Sequence, residues 1–344
     1  MGIDHYPVIE KELMEPIMLC SENGHLNPEC ISWARNPIYT CNLKGSWLRK
    51  KKWNYWCIMS PDCLFSATIS NIDYVGMVFI YFLDFKSKNF IEKTIKSPFG
   101  NGCEMPAMVN STVMFKNDSL SLSMINEVDG THILCTTKDF GGKSLYVDLK
   151  VSQPKEHETL NVVIPWSDNK FQYTSKQECL PVEGSLILEE KTHIFESVNT
   201  FAVLDYGRGI WPYQSSWNWA NGSGVSSKQK VGFNLGGTWT DGTGMTENAM
   251  VVDGKLTKIS DDLEFSFNKS NLMEPWSIRT KNTDQVELKF TPFFERIAKS
   301  NLLLVKSNVH QMIGYYSGNI KTTDGQSIKI ENILGSTEDH HARW

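Results

Sequence analysis

The chain has 344 residues, 34 Lys and Arg against 39 Asp and Glu, and a formal net charge of −5. That length suits one large domain or two fused ones, at roughly 100–200 residues each. With 40% hydrophobic and 21% charged residues it is not a disordered chain, and its mild acidity argues against nucleic acid as a partner.

The first stretch holds Cys20, His25, Cys30 and Cys41 within a short span. Their spacing is irregular and lacks a Cys-x2-Cys knuckle, so no metal site is expected. The opening residues show no basic segment followed by an apolar core. The expected location is therefore cytoplasmic, with the eight Cys as free thiols. Trp47 to Trp56 interleaves aromatics with Arg49, Lys50, Lys51 and Lys52. We read it as a strand whose basic side chains face solvent while Trp53 and Tyr55, or their neighbours, pack inside. The longest apolar run, Tyr74 to Leu83, is too short for a membrane-spanning helix.

Period-2 alternation then dominates. It runs through Leu120, Leu122 and Met124, through Leu145, Val147, Leu149 and Val151, and through Leu160, Val162 and Ile164. After the middle of the chain it returns in Leu263, Phe265 and Phe267, in Val286, Leu288 and Phe290, and in Ile328 and Ile330. One apolar face per short run is the mark of a half-buried antiparallel strand. Asn117-Asp118, Asp129-Gly130, Gly141-Gly142, Asp253-Gly254 and Asp324-Gly325 supply the turns. Residues 292–305 leave room for a helical turn. The fold class is thus all-β, built as sandwiches or barrels that hide their edges. Pro and Gly in Glu178–Ser185 interrupt the alternation and divide the chain into lobes 1–180 and 181–344.

Residues 205–248 stand apart. They hold four of the eleven Trp (Trp211, Trp217, Trp219, Trp239) and nine of the 24 Gly. Indoles with a few placed polar groups describe a small-molecule pocket. A carboxylic acid against indoles has its pKa raised by desolvation and becomes a proton donor near neutral pH. Asp205 and Asp241 are the candidate donors and Glu247 the next. Arg208 is placed to orient a carboxylate, with Tyr206, Tyr213, Asn234 and the four Trp as binding residues. The plain structural alternative is a Trp-rich β core in which Asp205 and Arg208 neutralise each other. Trp276, beside Glu274, and the upstream His310 are further binding candidates. The closing run Glu338-Asp-His340-His-Ala-Arg343-Trp344 carries a Trp whose docking would hold Glu338, His340 or Arg343 against a cleft. No dinucleotide fingerprint, P-loop, nucleophile elbow or His-Glu-x-x-His occurs, so neither a metal nor another cofactor is expected.

The runs LNPECISWARNP, RKKKWNYWCI, ISNIDYVG, DYGRGIWPYQSSWNWANG, VGFNLGGTWTDGTGMTENAM, MEPWSIR and GSTEDHHARW resemble a mainly bacterial family, domain of unknown function 2804. More distantly the chain is similar to the lipocalin-like hydratases and cyclases. That likeness implies two lipocalin-like antiparallel β lobes packed together, with few short helices, and apolar ligands held in or between them. It transfers no catalytic residue.

Two functions follow as expectations. One is an acid–base enzyme on an apolar or prenyl-like small molecule, such as a hydratase, cyclase or isomerase. A variant of it is glycoside hydrolysis by paired carboxylates such as Asp241 and Glu247. The other is a non-catalytic carrier of a lipid or other hydrophobe. An acid in the cavity without a cationic partner favours catalysis; a closed, fully paired network favours binding.

Overall fold

The computed structural model describes residues 10–302 and 305–344. Among them the secondary structure is nearly all strand, with one 3-10 turn at Pro28–Cys30. The alternating runs lie in strands, with Leu120 and Phe267 just beyond a strand end, and the hairpin turns fall at the expected Asn, Asp and Gly pairs. Asp253 and Gly254 both take positive φ, 47° and 83°, the backbone that a two-residue hairpin between Asn248–Val252 and Lys255–Ile259 requires. Residues 286–302 form one continuous strand rather than a helical turn. A register shift at Pro292 lets the strand bend where proline cannot donate.

Two large antiparallel sheets carry the fold. The path through the first is Phe90–Pro98, Val75–Asp84, Cys63–Asn71, Lys50–Met59, Phe201–Ile210, Lys170–Leu188, Lys143–Ser152, Gly130–Phe140, Ser121–Glu127 and Val113–Lys116. The second runs Lys255–Ile259, Asn248–Val252, Gln229–Gly237, Gln214–Ser226, Ser327–Arg343, Val305–Lys321, Val286–Leu302, Trp276–Thr280 and Leu263–Ser266. Each is curled in the lipocalin-like manner around its own apolar core. The break expected at 180/181 falls inside the strand Lys170–Leu188, and the chain passes from first sheet to second between Ile210 and Gln214. No helix among the described residues is long and apolar enough to cross a membrane.

Two further apolar clusters join the sheets. One gathers Trp33, Trp211 and Trp239 with Leu160, Val162 and Ile164. The other gathers Tyr55, Tyr81 and Val203 of the first sheet with Trp219 and Ile313 of the second.

Trp276 lies in the core of the second sheet, 1% exposed and stacked on Phe267 at 3.8 Å, with its indole N–H donated to the Leu272 carbonyl. It is not a binding residue of the cavity described below. Its apolar neighbours bury it from all sides, so Trp276→Ala should lower stability by ~3–5 kcal/mol. Urea unfolding checks the loss, and a cavity-bound fluorescent probe should keep its affinity in the variant.

Candidate functional site

A cavity of about 1000 Å³ opens between the two sheets. Strand register builds its first wall. Lys176, Asp205, Tyr55, Thr68, Phe79 and Thr94 stand opposite one another in turn across six strands. All six line the cavity. The next row is Thr174, Gly207, Trp53, Ser70, Met77 and Lys96. Gly207 is required there, because a Cβ would collide with the Trp53 ring and the Gln172 amide. The second wall has the rows Trp219–Glu338–Gln311–Arg296 and Trp217–His340–Val309–Ala298.

Alternation sorts the sequence candidates. Asp205 faces the cavity, so Tyr206 and Arg208, at odd offsets from it, face the core of the first sheet. Arg208 is not Asp205's partner. Its guanidinium donates to the Trp53 and Gly207 carbonyls and to Asn54 Oδ1, each at 2.8 Å, and lies over the Tyr206 ring. Both residues are architecture.

Trp211, Trp217, Trp219 and Trp239 line the cavity as expected. Trp211 stacks on Trp239 at 5.2 Å and donates to Gln172 Oε1 at 2.7 Å. Trp344 docks against Trp211 and Trp217 and lines the cavity too. Arg49 holds its carbonyl at 2.8 Å. Asn234 sits one layer behind. It accepts the Trp219 indole N–H at 2.7 Å and donates to the Glu247 carbonyl at 2.6 Å.

Asp241 is outside the cavity, half exposed, and pairs with Lys281 at 2.8 Å. The turn after Gly237 turns it outward, where it accepts the Thr238 backbone N–H at 3.2 Å. Asp241 and Glu247 therefore do not form a carboxylate pair across a site. Tyr213 is 42% exposed, its ring below the Arg49 guanidinium. His310 leaves the cavity wall and meets Glu295 at 2.6 Å. It alternates with the cavity-lining Val309, so its side chain takes the other face.

The charged centre is one that sequence reasoning missed. Lys176 bridges Asp205 at 2.8 Å and Glu247 at 2.9 Å, with its ammonium over the Trp219 ring. Burial by itself pulls the Lys176 pKa down. The two carboxylates outweigh it and hold the ammonium above its ordinary value. Glu247 is raised by burial, against the pull of Lys176 and with a push from Asp205. It also accepts the Trp239 indole N–H at 2.6 Å. Gly236 makes room for this carboxylate, since a Cβ would collide with Glu247. Gly236→Ala should push Glu247 off Lys176 and lower stability by ~1–3 kcal/mol, measurable as a drop in Tm.

Glu338 behaves differently. Burial pushes its pKa up to about 7, against the pull of Arg296, Lys176 and a hydrogen bond from Trp217 and with a push from Asp205. No cation lies within ion-pair distance of it among the described residues. Arg296 is engaged elsewhere, donating twice to Glu92 at 2.9 and 3.1 Å. Gln311 Nε2 donates to Glu338 Oε1 at 2.9 Å and to Tyr55 Oη at 3.0 Å. Tyr81 Oη donates to Gln311 Oε1 at 2.7 Å and lies 2.8 Å from Tyr55 Oη. With the Tyr81 proton given to Gln311, Tyr55 must donate to Tyr81. The three side chains close a hydrogen-bonded ring that fixes the Gln311 amide. Glu338 Oε1 is thus an acceptor, which leaves Oε2 to carry the proton.

His340 also lines the cavity, its ring tilted against Trp217 at 3.8 Å and 2.9 Å from Ser307 Oγ. Burial, with His341 and Arg296 nearby, drives its pKa down to about 3, so the ring is neutral. No group of His, Cys, Asp or Glu suited to a metal occurs among the described residues.

This arrangement draws on both sheets and the last strand, and the family match, residues 10–344, covers all of it. The chain belongs to the family described as domain of unknown function, DUF2804. Among solved structures, this DUF2804 chain is similar to CghA, solved with Sch210972. They are 10% identical with a TM-score of 0.50, over 86% of this chain and 88% of that one. It is also similar to kievitone hydratase from Nectria haematococca. Here the identity is 9% and the TM-score 0.43, over 86% and 89% of the two chains. At such identity the CghA likeness shows a shared fold. No curated protein matches the DUF2804 chain in sequence.

Proposed function

We propose that this DUF2804 protein is an enzyme that binds a largely apolar small molecule between its sheets and transfers a proton to it from Glu338. One observation carries the reading: a cavity-lining carboxyl with its pKa near 7 and no ion-pair partner among the described residues, in a cavity walled by indoles. An acid with its pKa near the working pH is both protonated and able to give its proton up. Asp205 and Glu247 are tied to Lys176 and serve as a fixed electrostatic floor rather than as donors. That floor is negative overall when both are ionised. It favours positive charge developing on a protonated alkene or ether, as in a hydratase, cyclase or isomerase. The like fold of CghA, solved with Sch210972, supports a small-molecule ligand for this architecture.

The paired part of the site favours a second reading, a hydrophobe carrier in which Lys176 merely neutralises buried acids. One experiment separates the two. Small molecules are extracted from purified wild type and from Glu338→Gln, then returned to wild-type protein in D2O. An enzyme converts the molecule trapped by the variant, with a mass change or deuterium uptake. Identical extracts with no deuterium incorporated would leave the carrier reading.

A further inference from the structure

The charges of the cavity are sorted by depth. Three lysines line it while remaining exposed: Lys96 on the strand Phe90–Pro98, and Lys299 and Lys306 on the facing hairpin of Val286–Leu302 and Val305–Lys321. None of the three has an ion-pair partner among the described residues. The nearby carboxylate, Glu92, is engaged by both forks of Arg296. A fourth lysine lies behind the wall, its pKa lowered by burial to about 7. Lys51 is fully buried, its ammonium 4.4 Å from the Tyr74 ring and 5.2 Å from the Trp344 ring, and both rings line the cavity. The deep end holds Asp205, Glu247 and Glu338 around Lys176, with the one other buried cation of the lining, Arg296, neutralised by Glu92.

A chain of net charge −5 thus sets unpaired lysines at the rim of a cavity whose floor is acidic and whose walls are indole and aliphatic. An anion is repelled at the floor and attracted at the rim. A molecule that is apolar along its length and anionic at one end can enter in one orientation only. We infer that the ligand is an amphiphilic acid, its anionic head held by Lys96, Lys299 and Lys306 and its apolar body extended along the indoles toward Glu338. The inference rests on the reading of this cavity as a small-molecule site, and names which molecules fit it. The rim acts as the orienting device, placing the far, uncharged end of the ligand at the proton donor.

The test uses cis-parinaric acid, a fluorescent polyene carboxylate, beside its methyl ester, with the whole protein. The acid is expected to bind on the order of tenfold more tightly than the ester at low ionic strength. The difference should shrink as salt screens the exposed rim. The triple variant Lys96→Gln, Lys299→Gln, Lys306→Gln should erase the preference and leave ester affinity unchanged. All three side chains are exposed, so its fold is expected to survive, and a thermal melt verifies this. Glu338→Gln should keep the preference, because it acts at the other end. Equal binding of acid and ester overturns the anionic head while the apolar cavity stands. So does a preference that persists in the triple variant. If neither probe binds, both the amphiphile and the small-molecule site fall.

Discussion

Lys176→Met should destabilise the protein by ~3–5 kcal/mol at neutral pH, because it leaves the buried Glu247 and the half-buried Asp205 without their cation. Methionine fills a similar volume, so the loss reports charge more than packing. The wild-type pairs are short, 2.8 Å to Asp205 and 2.9 Å to Glu247, and both Lys176 and Glu247 are nearly inaccessible. Without Lys176 each carboxylate meets the other's charge with no cation between them, and the folded-state pKa of Glu247, already raised by burial, rises further. A carboxyl raised in the folded state stabilises fully below its unfolded pKa and loses that contribution as pH rises through the folded value. The deficit of the variant should therefore narrow as pH falls toward the carboxylate range and widen above neutrality. Adding Glu247→Gln should recover part of it, since one of the two stranded charges is gone. Denaturant unfolding of the two variants across pH measures all of this. A deficit below ~1 kcal/mol and flat with pH would mean that water reaches the triad and screens it.

Why the triad was not visible in the sequence follows from its geometry. Lys176 and Asp205 meet because they are register partners on adjacent strands. Glu247 comes from the loop just before the strand Asn248–Val252 of the other sheet. Local pattern shows which residues alternate but not which strands pair. The strands themselves, the hairpin turns and the Trp-rich segment were legible, since each depends on spacing within about ten residues. Asp205 and Glu247 were found through their indole neighbours. Arg208 and Tyr206 were grouped with Asp205 by proximity in the chain, although period 2 already places Asp205 and Arg208 on opposite faces. The closing segment held the better signal. Glu338 and His340 share one face of the last strand, which brings both to the cavity, and Trp344 follows just beyond its end. A terminal Trp that docks was the clue, and Glu338, the acid best suited to chemistry, lies six residues before it.

Glu338→Gln is the variant with the largest expected effect on function. Removing a general acid lowers turnover by ~10²–10⁴-fold, and glutamine keeps the shape and the hydrogen bond from Gln311. The pH profile gives an independent signature. Glu338 titrates near 7 in the folded protein against an ordinary value of 4.5. Wild-type activity should hold on the acid side and fall as pH rises through about 7, and the residual activity of the variant should lack that limb. Stability carries the same pKa and needs no substrate. Because the folded value is raised, the contribution of Glu338 is intact below about 4.5 and is lost between there and about 7. That loss is on the order of 3 kcal/mol at one unit per 1.36 kcal/mol. Glutamine cannot ionise, so relative to wild type the variant should gain that amount between about pH 4 and pH 8. Equilibrium unfolding at the two pH values decides it. A constant difference would show that Glu338 is ionised throughout, and the proton donor would have to be sought elsewhere in the cavity.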